Sequence, residues 1–254
     1  MLRAMNASRK NQGLAAGEPP GRARPMRRDA QRNREAILTA ARAAFAAQGL
    51  EAPLETVARH AGVAIGTLYR HFPCRLRLVE AVFIEKTHAW VEAAEQALAF
   101  PDAWDGFAYY LERLCELQAG DRGFNDVASM SMAPACCLED VKDQAYLLAR
   151  RIVVRAQRSG SLRADVTAED IAFLLWGSTR ITEATYTVAP AAWRRYLGLM
   201  LDAFRAENAH ALPEPPLRPQ QLREAMIALA DAGYGDRRLP SLPADSCLGV
   251  QPGA

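Results

Sequence analysis

The stretch Gly62-Val63-Ala64-Ile65-Gly66-Thr67-Leu68-Tyr69-Arg70-His71-Phe72-Pro73 places a threonine, a tyrosine, an arginine and a histidine within five residues, between two glycines and a proline. Thr67 offers a hydroxyl and a methyl group, Tyr69 and His71 are hydrogen-bond donors, and Arg70 carries a fixed charge. Burying such groups unpartnered is costly, and the interval allows barely two helical turns. Chemistry of another kind is not suggested. The chain has no GxSxG elbow, P-loop, HExxH or dinucleotide fingerprint, and no His-Asp-nucleophile set, so an enzyme is not expected. Four scattered histidines and five cysteines without a CxxC pair predict neither a metal site nor a disulfide framework, and no cofactor is called for. Adjacent Cys136 and Cys137 leave open a sensor for thiol-reactive compounds or soft metals.

Helical periodicity surrounds this stretch. Ile37, Leu38, Ala41, Ala44 and Phe45 form one apolar face of a helix that starts near Asp29 and stops at Gly49. A short helix follows Pro53, with Leu54, Val57, Ala58 and Ala61 on one face, and Gly62 ends it. Residues 54–73 then read as helix, tight turn and helix. Val57, Ala61, Val63 and Leu68 supply the seam, Ala58 lets the helices approach, and Gly62 takes a positive φ in the turn. That is the spacing of a helix-turn-helix, whose second helix enters the DNA major groove by its N-terminal end. Ala64, Ile65, Gly66 and Thr67 would lead. Gly66 permits close backbone approach, Thr67 reaches a phosphate, a base or a thymine methyl, and Tyr69, Arg70 and His71 serve phosphates. A surface helix with incidental polar groups would carry the same pattern.

Charge points the same way. Residues 1–77 hold 14 Lys/Arg against 5 Asp/Glu, and residues 78–254 hold 17 against 24. A basic N-terminal third on an acidic body suits a polyanionic partner there; a basic tail without a partner is the plainer alternative. The acidic body also argues against an architectural protein that coats DNA without preference.

The segment "LETVARHAGVAIGTLYRHFPCRLRLVEAVF" resembles the DNA-binding signature of TetR-family (tetracycline-repressor-like) transcriptional regulators over about residues 30–83. The resemblance implies an all-α homodimer: an N-terminal three-helix helix-turn-helix domain joined by a fourth helix to a C-terminal helical ligand-binding and dimerisation domain. By position, Thr67, Tyr69 and His71 match DNA-contacting residues. Arg75 matches a basic residue that opens the fourth helix and meets a phosphate, and Thr56 lies near the backbone. Ala64 and Ile65 stand where Ser, Thr or a basic residue is usual, which shifts readout toward apolar contact and DNA shape. Cys74 stands where Ser, Thr or Asn is usual, which weakens the cap of the fourth helix. Arg22, Arg24, Arg27 and Arg28 precede the first helix, as an arm along the DNA or as a source of non-specific attraction.

The remaining helices are expected at about 75–97, 103–118, 123–133, 138–158, 168–186, 190–207 and 219–232, with a capping box at Thr167–Asp170 and a stop at Gly160. The expected division is a disordered basic tail (1–28), the helix-turn-helix domain (29–74), the effector and dimerisation domain (75–210) and a proline-rich extension (211–254). Effector walls are expected from Tyr109, Tyr110, Cys115, Phe124, Met130, Met132, Trp176 and Arg180, which mix apolar surface with polar handles and would also serve as core. The resemblance places the dimer interface on the last two body helices, through Ile171, Leu175, Trp193, Leu197, Met200, Leu201 and Phe204. The expected partners are double-stranded operator DNA, a second copy of the chain and a small-molecule effector. No apolar run is long enough for a membrane and no secretory leader is evident, so a cytoplasmic regulator is expected, repression being the default.

Overall fold

The computed structural model describes residues 23–130 and 136–234, so Arg22, Met132, Cys247 and the outer parts of both termini lie outside the described residues. Ten α-helices and no strand are present among the described residues.

Helix α1 (Ala23–Gln48) buries Ile37, Ala41, Ala44 and Phe45. It begins six residues before the expected Asp29, because Pro25 falls in the first turn, where a missing N–H breaks no intrahelical bond. Gly49, at φ 78°, turns the chain out of it. Helices α2 (Leu54–His60) and α3 (Ile65–His71) follow, joined by Gly62 at φ 68°. A Cβ at Gly62 would meet nothing within 4 Å, so the turn needs glycine for its backbone conformation alone. Val57, Ala58 and Leu68 close the seam beneath the turn.

The body is built around α4 (Arg75–Ala99), which packs along α5 (Ala103–Gln118) and α7 (Cys137–Arg158). As expected of its departure from the usual cap, Cys74 gives α4 no capping side-chain hydrogen bond. The short α6 (Arg122–Ser129), capped by Asp121 accepting from the Phe124 N–H at 3.0 Å, lies against α1. It ends four residues before the expected 133, because Met130 is already extended at φ −111°, ψ 149°. Helix α8 (Ala168–Thr185) opens with the expected capping box, in which the Thr167 N–H donates to Asp170 at 2.8 Å. Against it packs α9 (Ala192–Phe204). That helix stops before 207 because the loop after α7 takes its terminal carbonyl: the Arg163 N–H donates to the Phe204 oxygen at 3.0 Å. An exposed linker then leads to α10 (Pro219–Tyr234).

Candidate nucleic-acid interface and effector cavity

In α3 only Leu68 is fully buried. Ala64, Ile65, Gly66, Tyr69 and Arg70 are exposed, and Thr67 and His71 are half-buried beside them. One helix face therefore points outward with Ile65 and Tyr69, 37% and 44% exposed, as large apolar bodies that nothing in the protomer covers. Thr56 is half-buried on α2. The protomer imposes no need for glycine at position 66, where a Cβ would meet nothing within 4 Å. Gly66→Ala is thus expected to leave thermal stability equal or higher, by up to about 1 kcal/mol, since alanine is the better helix former. It is expected to weaken DNA binding, read by fluorescence anisotropy, because the added methyl stands where a groove would close on the backbone.

His71 is held below its ordinary value of 6.5 by burial first, then by the charges of Arg70 and Arg34. Arg34, on α1, lies over the Phe72 ring at 4.7 Å. It adds a cation to the end of α3 that the helix-turn-helix pattern did not signal, because it arrives from another helix. A folded-state value below the unfolded one gives stability present above the unfolded value and lost as the pH falls through the folded one. A DNA phosphate would reverse the preference by favouring imidazolium. Affinity for DNA is therefore expected to rise between about pH 7.5 and 5.5, measured at fixed salt, and to rise less in His71→Gln.

Arg75 has a structural task within the protomer. Its Nη1 donates to the backbone oxygens of Leu50 at 2.5 Å and Ala52 at 2.8 Å. Through Nη1 this half-buried side chain holds the α1–α2 loop on α4.

The residues expected to wall one pocket do not meet in one place. Tyr110 lines a cavity of about 190 Å³ bounded by α4, α5, α6, α7, α8 and α10. Its neighbour Tyr109 faces away, with its hydroxyl on Gln96 and its ring 5.0 Å from Phe100. Cys115 is buried against α8, near Ser178, and burial pushes its thiol up to about 11. Phe124 is fully buried core, 5.1 Å from the Trp90 ring and 5.9 Å from Phe83. Met130, Trp176 and Arg180 line a separate open groove beside α10, where Arg180 pairs with Glu183 at 3.1 Å. Burial followed by the Glu80 carboxylate pushes Cys136 up to about 12, and burial raises Cys137 too. Both stay as thiols at neutral pH, which counts against the sensor alternative.

Several expected interface residues are used inside the protomer. Ile171 and Leu175 line the same cavity as Tyr110. Trp193, Leu197 and Phe204 are buried, Phe204 edge-on to Phe107 at 5.9 Å. Met200 and Leu201 are half-buried on the core's margin. The apolar groups that α8 and α9 turn outward are Phe173 and Leu199, with half-buried Trp176 beside Phe173. Sequence periodicity did not single out Phe173 or Leu199, because both helices are apolar on more than one face.

Helix α6 joins the cavity to the DNA-binding end. Ala128 lines the cavity, while Asp126 accepts the Leu50 N–H at 2.8 Å just beyond α1. The aromatic rings of Phe45, Phe83, Phe124 and Trp90 follow one another from α1 through α4 and α6, at centroid distances of 6.1, 5.9 and 5.1 Å.

Comparisons with known proteins fall on the same two regions. Residues 37–82 match the family described as bacterial regulatory proteins, tetR family. Residues 102–206 match the family described as transcriptional regulator SbtR-like, C-terminal domain. Over 67 residues the chain is 39% identical to the HTH-type transcriptional regulator SrpR of Pseudomonas putida, covering 26% of this chain and 32% of that protein. The chain thus spans about a third of SrpR, and half of a second Pseudomonas putida regulator, TtgW, to which it is also 39% identical over 67 residues. A solved TetR transcription regulatory protein from Mycobacterium vanbaalenii is 30% identical, with 71% of this chain and 99% of that one covered, at a TM-score of 0.43. On this sequence identity across the relative's length, and on the two adjoining family matches, the chain belongs to the TetR family of bacterial transcriptional regulators.

Proposed function

We propose that the chain is a ligand-responsive repressor that occupies a palindromic operator as a homodimer and leaves it when an effector binds. The observation that carries this reading is α3, which keeps one residue for the core and turns Ile65, Gly66, Tyr69 and Arg70 outward. In this reading residues 29–74 are the DNA-binding domain, with Thr67 and Tyr69 at the groove. Arg34, Arg70 and His71 face phosphates, and Thr56 supports them. Residues 75–210 hold the effector and the dimer contact, and residues 211–254 form an extension.

A dimer is needed because seven residues of recognition helix address only one half-site, and half-sites one helical turn apart, about 34 Å, require two such helices at fixed separation. Phe173 and Leu199 are the exposed apolar groups on α8 and α9 from which that contact would be built. The effector acts from the cavity by displacing α6, whose Asp126 holds the loop after α1. DNA must then weaken effector binding by the same factor. Analytical ultracentrifugation with a labelled fragment of the DNA upstream of the gene tests the reading. Two protomers should bind per operator, with stoichiometry independent of fragment length. Uptake that grows in proportion to fragment length would overturn it.

A further inference from the structure

Tyr110 is 3% exposed, and its hydroxyl has no hydrogen-bond partner among the described residues. Burial alone acts on the group and pushes its ionisation up, so it stays a neutral phenol. Of the buried side-chain polar atoms that lack a partner, only Trp90 Nε1 and Asn125 Oδ1 are sealed from accessible space. The Tyr110 oxygen is therefore not sealed, and the space that Tyr110 lines is the 190 Å³ cavity. Buried polar groups in folded proteins are seldom left without a partner.

The other polar walls answer one another. Lys142 donates to Glu139 at 2.9 Å and to the Met130 oxygen at 2.5 Å. Arg223 faces Asp143 at 4.0 Å. The Tyr146 hydroxyl donates to the buried Glu169 carboxylate at 2.6 Å. Apart from the sealed indole of Trp90, Tyr110 is the one polar side chain of the described walls that bonds to nothing in the protein. Two cations balance two carboxylates around the described cavity. A charged ligand would lose its hydration there without gaining a counter-charge.

The room beside this hydroxyl is made by small residues on facing helices, Ala128, Ala145, Ala149, Ala168 and Ala172. An apolar cavity of about 150 Å³ is enough to take up benzene, so this one suits a one-ring molecule. Water serves the hydroxyl poorly. A buried water needs roughly two to four polar partners, and the alanines that make the room offer no side-chain partner. The hydroxyl proton has no acceptor in the protein, so a ligand that fills the room must bring one.

We infer that the Tyr110 hydroxyl sets the specificity of the effector cavity, donating to the single acceptor of an uncharged, otherwise apolar, one-ring molecule. The inference rests on the effector-responsive reading proposed above. A hydrocarbon of the same shape leaves the hydroxyl unpaired under the ligand, which is the strongest form of rejection a buried polar group provides.

Three probes of matched size test this by calorimetry on the full-length protein: acetophenone, which is neutral with one acceptor; isopropylbenzene, which has none; and benzoate, which is charged. Acetophenone should bind about tenfold more tightly than either of the others. In Tyr110→Phe its affinity should fall about tenfold, while isopropylbenzene should bind as well as before or better. The preference between the two is thereby abolished. The variant should melt at the wild-type temperature or above, since it loses a hydroxyl that bonds to nothing in the protein. With carbonyl-labelled acetophenone, the infrared carbonyl band should lie lower when bound to wild type than in an apolar solvent, and should return in Tyr110→Phe. Equal affinity for the three probes, binding of none, a preference retained in Tyr110→Phe or an unshifted carbonyl band would each overturn the inference. Should acetophenone bind as described and leave the operator complex intact, the role of Tyr110 stands and the effector-responsive reading falls.

Discussion

Phe124→Ala is expected to lower the stability of the folded protein by about 3–5 kcal/mol, the largest effect of any single truncation considered. The ring is wholly buried, packed between Phe83 and Trp90, with the Lys86 ammonium 4.5 Å above its face. Removing it deletes apolar contact and leaves a cavity that the rigid helices α4 and α6 cannot close. The preceding residue shows how tight this seam is. A Cβ at Gly123 would stand 2.8 Å from Phe45 Cβ and 2.9 Å from Phe83 Cζ. The loss is to be measured by denaturant unfolding at fixed protein concentration, since a dimer's stability depends on it. Phe124→Leu should cost far less. A loss below about 1 kcal/mol in Phe124→Ala would show that α6 packs more loosely than described, and would weaken the route proposed from the cavity to α1.

Tyr69→Ala is expected to reduce operator affinity by about ten- to a hundredfold, as removal of one good groove or phosphate contact does. Tyr69 is 44% exposed in the protomer, so its truncation should change neither the melting temperature nor the sedimentation of the dimer. Those two controls separate a contact residue from a packing residue. A dimer that dissociated, or a melting temperature that fell by many degrees with operator affinity intact, would make Tyr69 structural.

The DNA-binding end was legible because its signals are local. Gly62 between Val57 and Leu68 fixes a turn within a dozen residues, and Thr167 caps α8 only three residues before its partner Asp170. The cavity was not, because its walls come from six helices whose mutual rotation the sequence does not state. Tyr109 and Tyr110 are neighbours, yet successive helical residues differ by about 100° in direction, so one faces Gln96 and the other the cavity. The same ambiguity assigned Ile171 and Leu175 to an interface, where Phe173 between them is the residue turned outward. Phe124 looked like a pocket wall because its packing partners, Phe83 and Trp90, lie more than thirty positions earlier in the chain.

The central claim is that α3 reads a DNA major groove in a symmetric pair. Hydroxyl-radical footprinting on the DNA upstream of the gene addresses it most directly. The expected result is one short palindrome with two protected patches about one helical turn apart, lost in Tyr69→Ala at the same protein concentration. Uniform protection along the fragment, or a wild-type pattern retained by Tyr69→Ala, would contradict the claim.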